Sequence, residues 1–240
     1  MNAALLPIRS IAGAKNRLAR NLDGGQRERL TLAMLADMVA ALRRARALDR
    51  VFVVSADATL LAHARKLGAG VLDESALAPV GVAPTNGADA VSGLNRAVAG
   101  AARALADIGV ERLLAIPGDV PLVGGDEVDA LFATDRRCHP VVLVASGSLT
   151  GTNGLLLSPP TVLAPCFEGA SLEAHRRSAR AAGIEPLTVA LRGFALDVDT
   201  IDDLVALAAH AATHASGQVA AEVLAERCRG DELPAAAAVS

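Results

Sequence analysis

At 240 residues, with 52% apolar side chains and a formal net charge of -3, the chain can bury a sizeable core and lacks the basic field of a nucleic-acid binder. Aromatics are only 2%, without Trp or Tyr, so Ala, Val, Leu and Ile must build the core, a mix suited to helices lying close on parallel strands. Cys138, Cys166 and Cys228 have no paired spacing, which argues against a disulfide framework or a Cys/His metal site.

In chain order, residues 3–8 form a short apolar strand, followed by a Gly-containing turn and a long helix over about residues 26–48. Leu30, Met34, Leu35, Met38, Val39 and Leu42 mark its apolar face at helical spacing. The apolar run 51–54 is a buried strand, residues 60–67 a helix closed by Gly68, and 70–72 a further strand. Residues 75–88, with Pro79, Gly81, Pro84, Asn86 and Gly87, read as a loop, and a helix follows over about 89–107. Strands are expected at 113–116, 141–144, 155–157, 187–191 and 194–198, with helices over 171–182 and from Ile201 onward. The tail beyond Gly230 is expected to fray. No uninterrupted apolar run has membrane-spanning length and no charged leader precedes an apolar stretch, so no membrane association and a cytoplasmic location are expected.

This alternation predicts an α/β three-layer sandwich with a mostly parallel mixed sheet, in one domain over residues 1–215, with a helical extension and tail over 216–240. Ligands of such sheets lie beyond the carboxyl ends of the strands, so polar residues at those ends matter most. Strand 113–116 runs into Pro117-Gly118-Asp119-Val120-Pro121-Leu122, a rigid bend around one carboxylate, although Asp119 could instead cap the helix near Glu127. In Leu196-Asp197-Val198-Asp199-Thr200 a strand would turn both aspartates to one side, and two adjacent carboxylates invite a hard cation such as magnesium. The competing reading makes Asp199 or Thr200 the cap of the last helix, with Asp203 completing the box. After the first strand, Arg9, Lys15 and Arg17 lie in a stretch of small residues that could wrap phosphates, or be a solvated basic loop; it is not a Walker A motif. His210 and His214 lack the Glu of a zinc-protease helix and read as helix surface.

In sequence order, Pro7-x-Arg9 with Ala14-Lys15-x-Arg17-Leu18, the Pro-Gly-Asp-Val-Pro-Leu bend, Gly151-Thr152-Asn153, Ser171 with His175, and Leu-Asp-Val-Asp-Thr resemble one family. It is that of the 2-phospho-L-lactate guanylyltransferases, which also includes phosphoenolpyruvate and 3-phosphoglycerate guanylyltransferases of coenzyme F-420 biosynthesis. The resemblance implies a nucleotide-diphospho-sugar-transferase fold and transfer of GMP from GTP to a small phospho-acid, with pyrophosphate released and the product passed to a deazaflavin transferase. It further implies magnesium on Asp119, Asp197 and Asp199, and Lys15 on the GTP phosphates. Arg9, Arg17 and Asn95 would lie with the nucleotide, and Thr152, Gly169 and Ser171 with the acceptor acid. Two motif positions differ, with Arg9 in place of Lys and Asn16 in place of Ser. Glu168-Gly169-Ala170-Ser171 replaces the commoner Gly-Pro-x-Ser, leaving either Glu168 or Gly169 as the acceptor contact, and the 79–89 loop is longer than usual. The alternatives are another nucleotidyltransferase of the same fold, acting on a molybdopterin or sugar phosphate, and a non-catalytic nucleotide-binding module.

Overall fold

The computed structural model describes residues 1–9, 18–77 and 93–231. Seven strands, β1 (Asn2–Pro7), β2 (Arg50–Ser55), β3 (Gly70–Asp73), β4 (Arg112–Ala115), β5 (Val141–Ala145), β6 (Thr152–Leu157) and β7 (Leu187–Val189), form one sheet in the order β3-β2-β1-β4-β6-β5-β7. Only β6 runs against its neighbours β4 and β5; the other pairings are parallel. The expected mixed, mostly parallel sheet is therefore observed. The reversal of β6 has a functional consequence, because it puts Thr152 and Asn153 at the edge where β1, β4 and β5 end.

Alternate residues of each strand enter opposite cores, as pleating requires. Ala4, Leu6, Val51, Val53, Leu114 and Val142 face α1 (Gly24–Arg44), α2 (Ala58–Lys66) and α4 (Gly125–Phe132). Ala3, Leu5, Val54, Leu113, Leu143 and Leu155 face α3 (Gly93–Asp107) and α5 (Ser171–Ala181). Small side chains let these layers approach closely, consistent with the Ala-rich composition. The first helix begins earlier than its apolar pattern because Asp23 and Gln26 form a reciprocal capping box, and it ends at Arg44 where Ala45 turns extended.

The single last helix expected from Ile201 is in fact two, α6 (Ile201–Ala208) and α7 (Ala215–Asp231). The restart depends on a distant residue: Asp37 of α1 accepts from the N–H groups of Ala215 at 3.1 Å and Ser216 at 2.8 Å, and from the Ser216 hydroxyl at 2.6 Å. Leu18, Leu30, Met34, Val198, Leu204, Ala220 and Val223 then close a third cluster joining α1, α6 and α7. Among the described residues no helix is long and apolar enough to cross a membrane.

Candidate active site

The Pro117-Gly118-Asp119 bend follows β4 at the carboxyl edge. A Cβ on Gly118 would come within 2.6 Å of Ile8 Cγ1, so only glycine lets this bend lie against the chain leaving β1. Asp119 does not cap α4, whose N-cap is Gly124 with Glu127 bonding back to it. The capping alternative for Asp119 is thereby removed.

Residues 194–198 are not the expected strand. Phe194 ends a short 3-10 turn (Arg192–Phe194), and the chain beyond it joins no strand of the sheet among the described residues. Four hydrogen bonds fix it instead. Gly193 N–H donates to Glu127 Oε1 at 3.0 Å, Gly147 N–H to the Ala195 carbonyl at 2.9 Å, and Asn153 Nδ2 to the Phe194 carbonyl at 2.8 Å. The fourth bond joins the backbones of the two acidic segments: Val198 N–H donates to the Asp119 carbonyl at 2.9 Å. Val198 is nonetheless buried, while Leu196, Asp197 and Asp199 are each partly exposed. Asn153 Nδ2 also lies 3.5 Å from Asp197 Oδ1. The cap of α6 is Thr200, in a reciprocal box with Asp203, so that role falls to neither metal candidate.

Among the described residues no group of three or more His, Cys, Asp or Glu side chains stands ready to hold a metal ion. The donor chemistry nevertheless suits magnesium, which takes one or two carboxylates together with waters and substrate phosphates rather than an all-protein cage. Carboxylates on two adjoining segments at the ligand edge match that requirement.

On the other side of Thr152 a buried polar network forms. Thr152 N–H donates to Ser171 Oγ at 2.8 Å, Thr152 Oγ1 lies 3.0 Å from His175 Nδ1, and Cys166 N–H donates to His175 Nε2 at 2.8 Å. Thr152, Ser171 and His175 are all buried, and burial pushes the His175 pKa down to about 4, against a smaller opposite contribution from the Ser171 backbone. Gly169 takes a positive φ of 60° on entering α5, a conformation that favours glycine. Asn95, on the first turn of α3, accepts from Phe167 N–H at 2.8 Å and so ties the segment before α5 to α3.

Two of the departures from the family motif, Arg9 and Glu168, meet in space. Arg9 Nη2 lies 3.1 Å from Glu168 Oε1, with both side chains about half exposed. The carboxylate beside Gly169, which by itself would repel an anionic acceptor, is thus paired with a cation. Nearby, a cavity of about 240 Å³ opens between the ends of β1 and β2 and the start of α3, lined by Ile8, Arg9, Val54, Glu74 and Leu94 among others. Lys15, Arg17 and the 79–89 loop lie outside the described residues. Glu74 stands out only through its long-range neighbours, and Glu127, beyond its local bond to Gly124, through its contact with Gly193.

The mixed sheet with one reversed strand is similar in fold to solved nucleotide-diphospho-sugar transferases and cytidylyltransferases. The fold matches a Desulfovibrio desulfuricans protein classed with the nucleotide-diphospho-sugar transferases, with TM-score 0.71 and 16% identity over 95% of this chain and 98% of that one. It also matches CMP:2-keto-3-deoxy-manno-octonic acid synthetase, with TM-score 0.58 and 13% identity over 88% and 99%. A family model described as "Guanylyl transferase CofC like" matches residues 2–225, and the chain belongs to that family of guanylyltransferases. Relatives include the phosphoenolpyruvate guanylyltransferase of Conexibacter woesei, 37% identical over 85% of this chain and 86% of the relative. The 2-phospho-L-lactate guanylyltransferase of Methanothermobacter thermautotrophicus is 34% identical over 88% and 86%. The 3-phospho-D-glycerate guanylyltransferase of Phenylobacterium zucineum is 34% identical over 87% and 90%.

Proposed function

We propose that the chain transfers GMP from GTP to the phosphate of a small phosphorylated carboxylic acid in the cytoplasm, as a magnesium-dependent step of coenzyme F-420 biosynthesis. The acceptor is phosphoenolpyruvate, 2-phospho-L-lactate or 3-phosphoglycerate, and the product passes to a deazaflavin transferase. The observation that carries this reading is the Val198-to-Asp119 hydrogen bond, which joins two acidic segments at the ligand edge of a guanylyltransferase-family chain.

An acceptor phosphate oxygen, already anionic at neutral pH, attacks the α-phosphorus of GTP while the bond to pyrophosphate breaks, so no general base is required. His175 is unsuited to that role, being neutral and having its Nε2 lone pair occupied by Cys166 N–H. Magnesium on Asp119, Asp197 and Asp199 would screen the repulsion between two polyanions and polarise the α-phosphoryl group. Lys15 and Arg17 would take the departing phosphates, and Thr152, Gly169 and Ser171 the acceptor. The cavity beside Arg9 suits the base, with apolar walls for the ring and the Glu74 carboxylate for the N1–H and N2–H donors of guanine.

The test is pyrophosphate release from GTP with each of the three acids, with and without magnesium. Turnover of at least one acid, abolished by EDTA, is expected. Turnover only with a sugar phosphate or molybdopterin, or GTP binding without pyrophosphate release, overturns the reading.

A further inference from the structure

We infer that His175 is a positioning residue: by fixing one imidazole tautomer it aims the Thr152 hydroxyl hydrogen at the anionic acceptor and holds the segment that flanks it. This rests on the acceptor assignment above. The reasoning is one of donor accounting. A backbone N–H can only donate, so Cys166 N–H, 2.8 Å from Nε2, requires that nitrogen to be bare. A neutral ring then carries its hydrogen on Nδ1, which faces Thr152 Oγ1 at 3.0 Å.

With Nδ1 protonated, Thr152 Oγ1 can only accept from His175, sharing that hydrogen with the Ser171 backbone, and its own hydrogen cannot point back at the ring. Ser171 is in a similar position, because its Oγ accepts from Thr152 N–H at 2.8 Å and keeps its hydrogen to give. Two buried hydroxyls, one at the start of β6 and one opening α5, are thus both oriented as donors. Two donors side by side suit an oxyanion, a phosphate or carboxylate, and disfavour a neutral acceptor. Through Cys166 the same ring anchors the chain leading to Glu168 and Gly169, and Phe167 packs edge-on against it with ring centroids 5.2 Å apart.

The two ring nitrogens can be tested separately. In His175→Asn an amide N–H replaces Nδ1 but the partner of Cys166 is lost; in His175→Gln the amide oxygen can still accept from Cys166 N–H but the donor to Thr152 is lost. His175→Gln should raise the KM for the acid about tenfold, the scale of one hydrogen bond, with the KM for GTP changed less than twofold. Thr152→Val should do the same, and the double variant should be no worse than either single one. His175→Asn, which keeps a donor toward Thr152, should raise the acid KM less than His175→Gln does, the remaining rise reporting the lost Cys166 anchor. Equal rises in both KM values, or additive effects in the double variant, overturn the inference.

Should the variants not fold, nitrogen NMR of the wild-type protein decides: a bare Nε2 and protonated Nδ1 at pH 7 is expected, and the opposite tautomer or an imidazolium refutes it. Absence of turnover by the wild-type protein with any acid would sink the functional reading but leave the tautomer measurable.

Discussion

Acidification should expose the buried His175 directly. The ring is fully buried, and its pKa is lowered from 6.5 to about 4 by desolvation. The unfolded chain therefore takes up a proton below pH 6.5 that the folded protein refuses. Full stability holds above pH 6.5, declines as pH falls from 6.5 toward 4, and stops declining from this source below about 4. At pH 5.0 the unfolded histidine is 1.5 units below its pKa, and at about 1.36 kcal/mol per unit the loss is about 2 kcal/mol. Urea denaturation at pH 7.5 and 5.0, for wild type and His175→Gln, isolates this contribution, because the remaining four histidines and the carboxylates are common to both proteins. Wild type should lose about 2 kcal/mol more than the variant between the two pH values. An equal loss in both proteins would refute the argument, since it would mean that His175 titrates alike folded and unfolded.

The acidic pair offers a sharper activity test: Asp197→Asn should lower kcat about 10²- to 10³-fold in the pyrophosphate assay while thermal unfolding stays near wild type. Full activity in that variant would remove the metal assignment. Gly193→Ala would put a Cβ 2.3 Å from Glu127 Oε2 and 2.5 Å from the Leu122 carbonyl, displacing the segment that carries Asp197. A stability cost of about 1–3 kcal/mol and a fall in kcat of about 100-fold are expected from denaturation and steady-state assays. Glu74→Gln, by presenting an amide donor to guanine, should cut the preference for GTP over ATP in kcat/KM by at least about tenfold. An unchanged ratio removes Glu74 from base recognition. Arg9→Ala leaves Glu168 uncompensated and should raise the KM for the acid about threefold, with Arg9→Ala/Glu168→Gly returning it toward wild type.

The apolar runs 51–54, 113–116 and 141–144 marked buried strands by themselves, because a strand covered on both faces needs no polar alternation, while their direction was left to the sheet. The order of those strands with helices between them was enough for the fold class. The bend around Asp119 and the Asp197–Asp199 spacing marked the acids, since proline, glycine and carboxylate patterns are local. Residues 194–198 misled the strand assignment because a chain lying over a core buries apolar side chains, as it does Val198 here, whether or not a neighbour offers a ladder. The break between α6 and α7 was equally hidden, since the cap that restarts the helix comes from Asp37, 178 positions from Ala215.

The amino-acid sequence by itself determined the sheet class and the family motifs, both of which depend on composition and short spacings. Tertiary structure alone decided that β6 runs backward and brings Thr152 to the ligand edge, and that the segment carrying Asp197 and Asp199 is bonded through Val198 to Asp119. It also decided that Arg9 answers Glu168 and that His175 fixes the hydroxyls beside it. Those facts are contacts between residues distant in the chain, and a contact exists only when burial and hydrogen-bond geometry have closed around it.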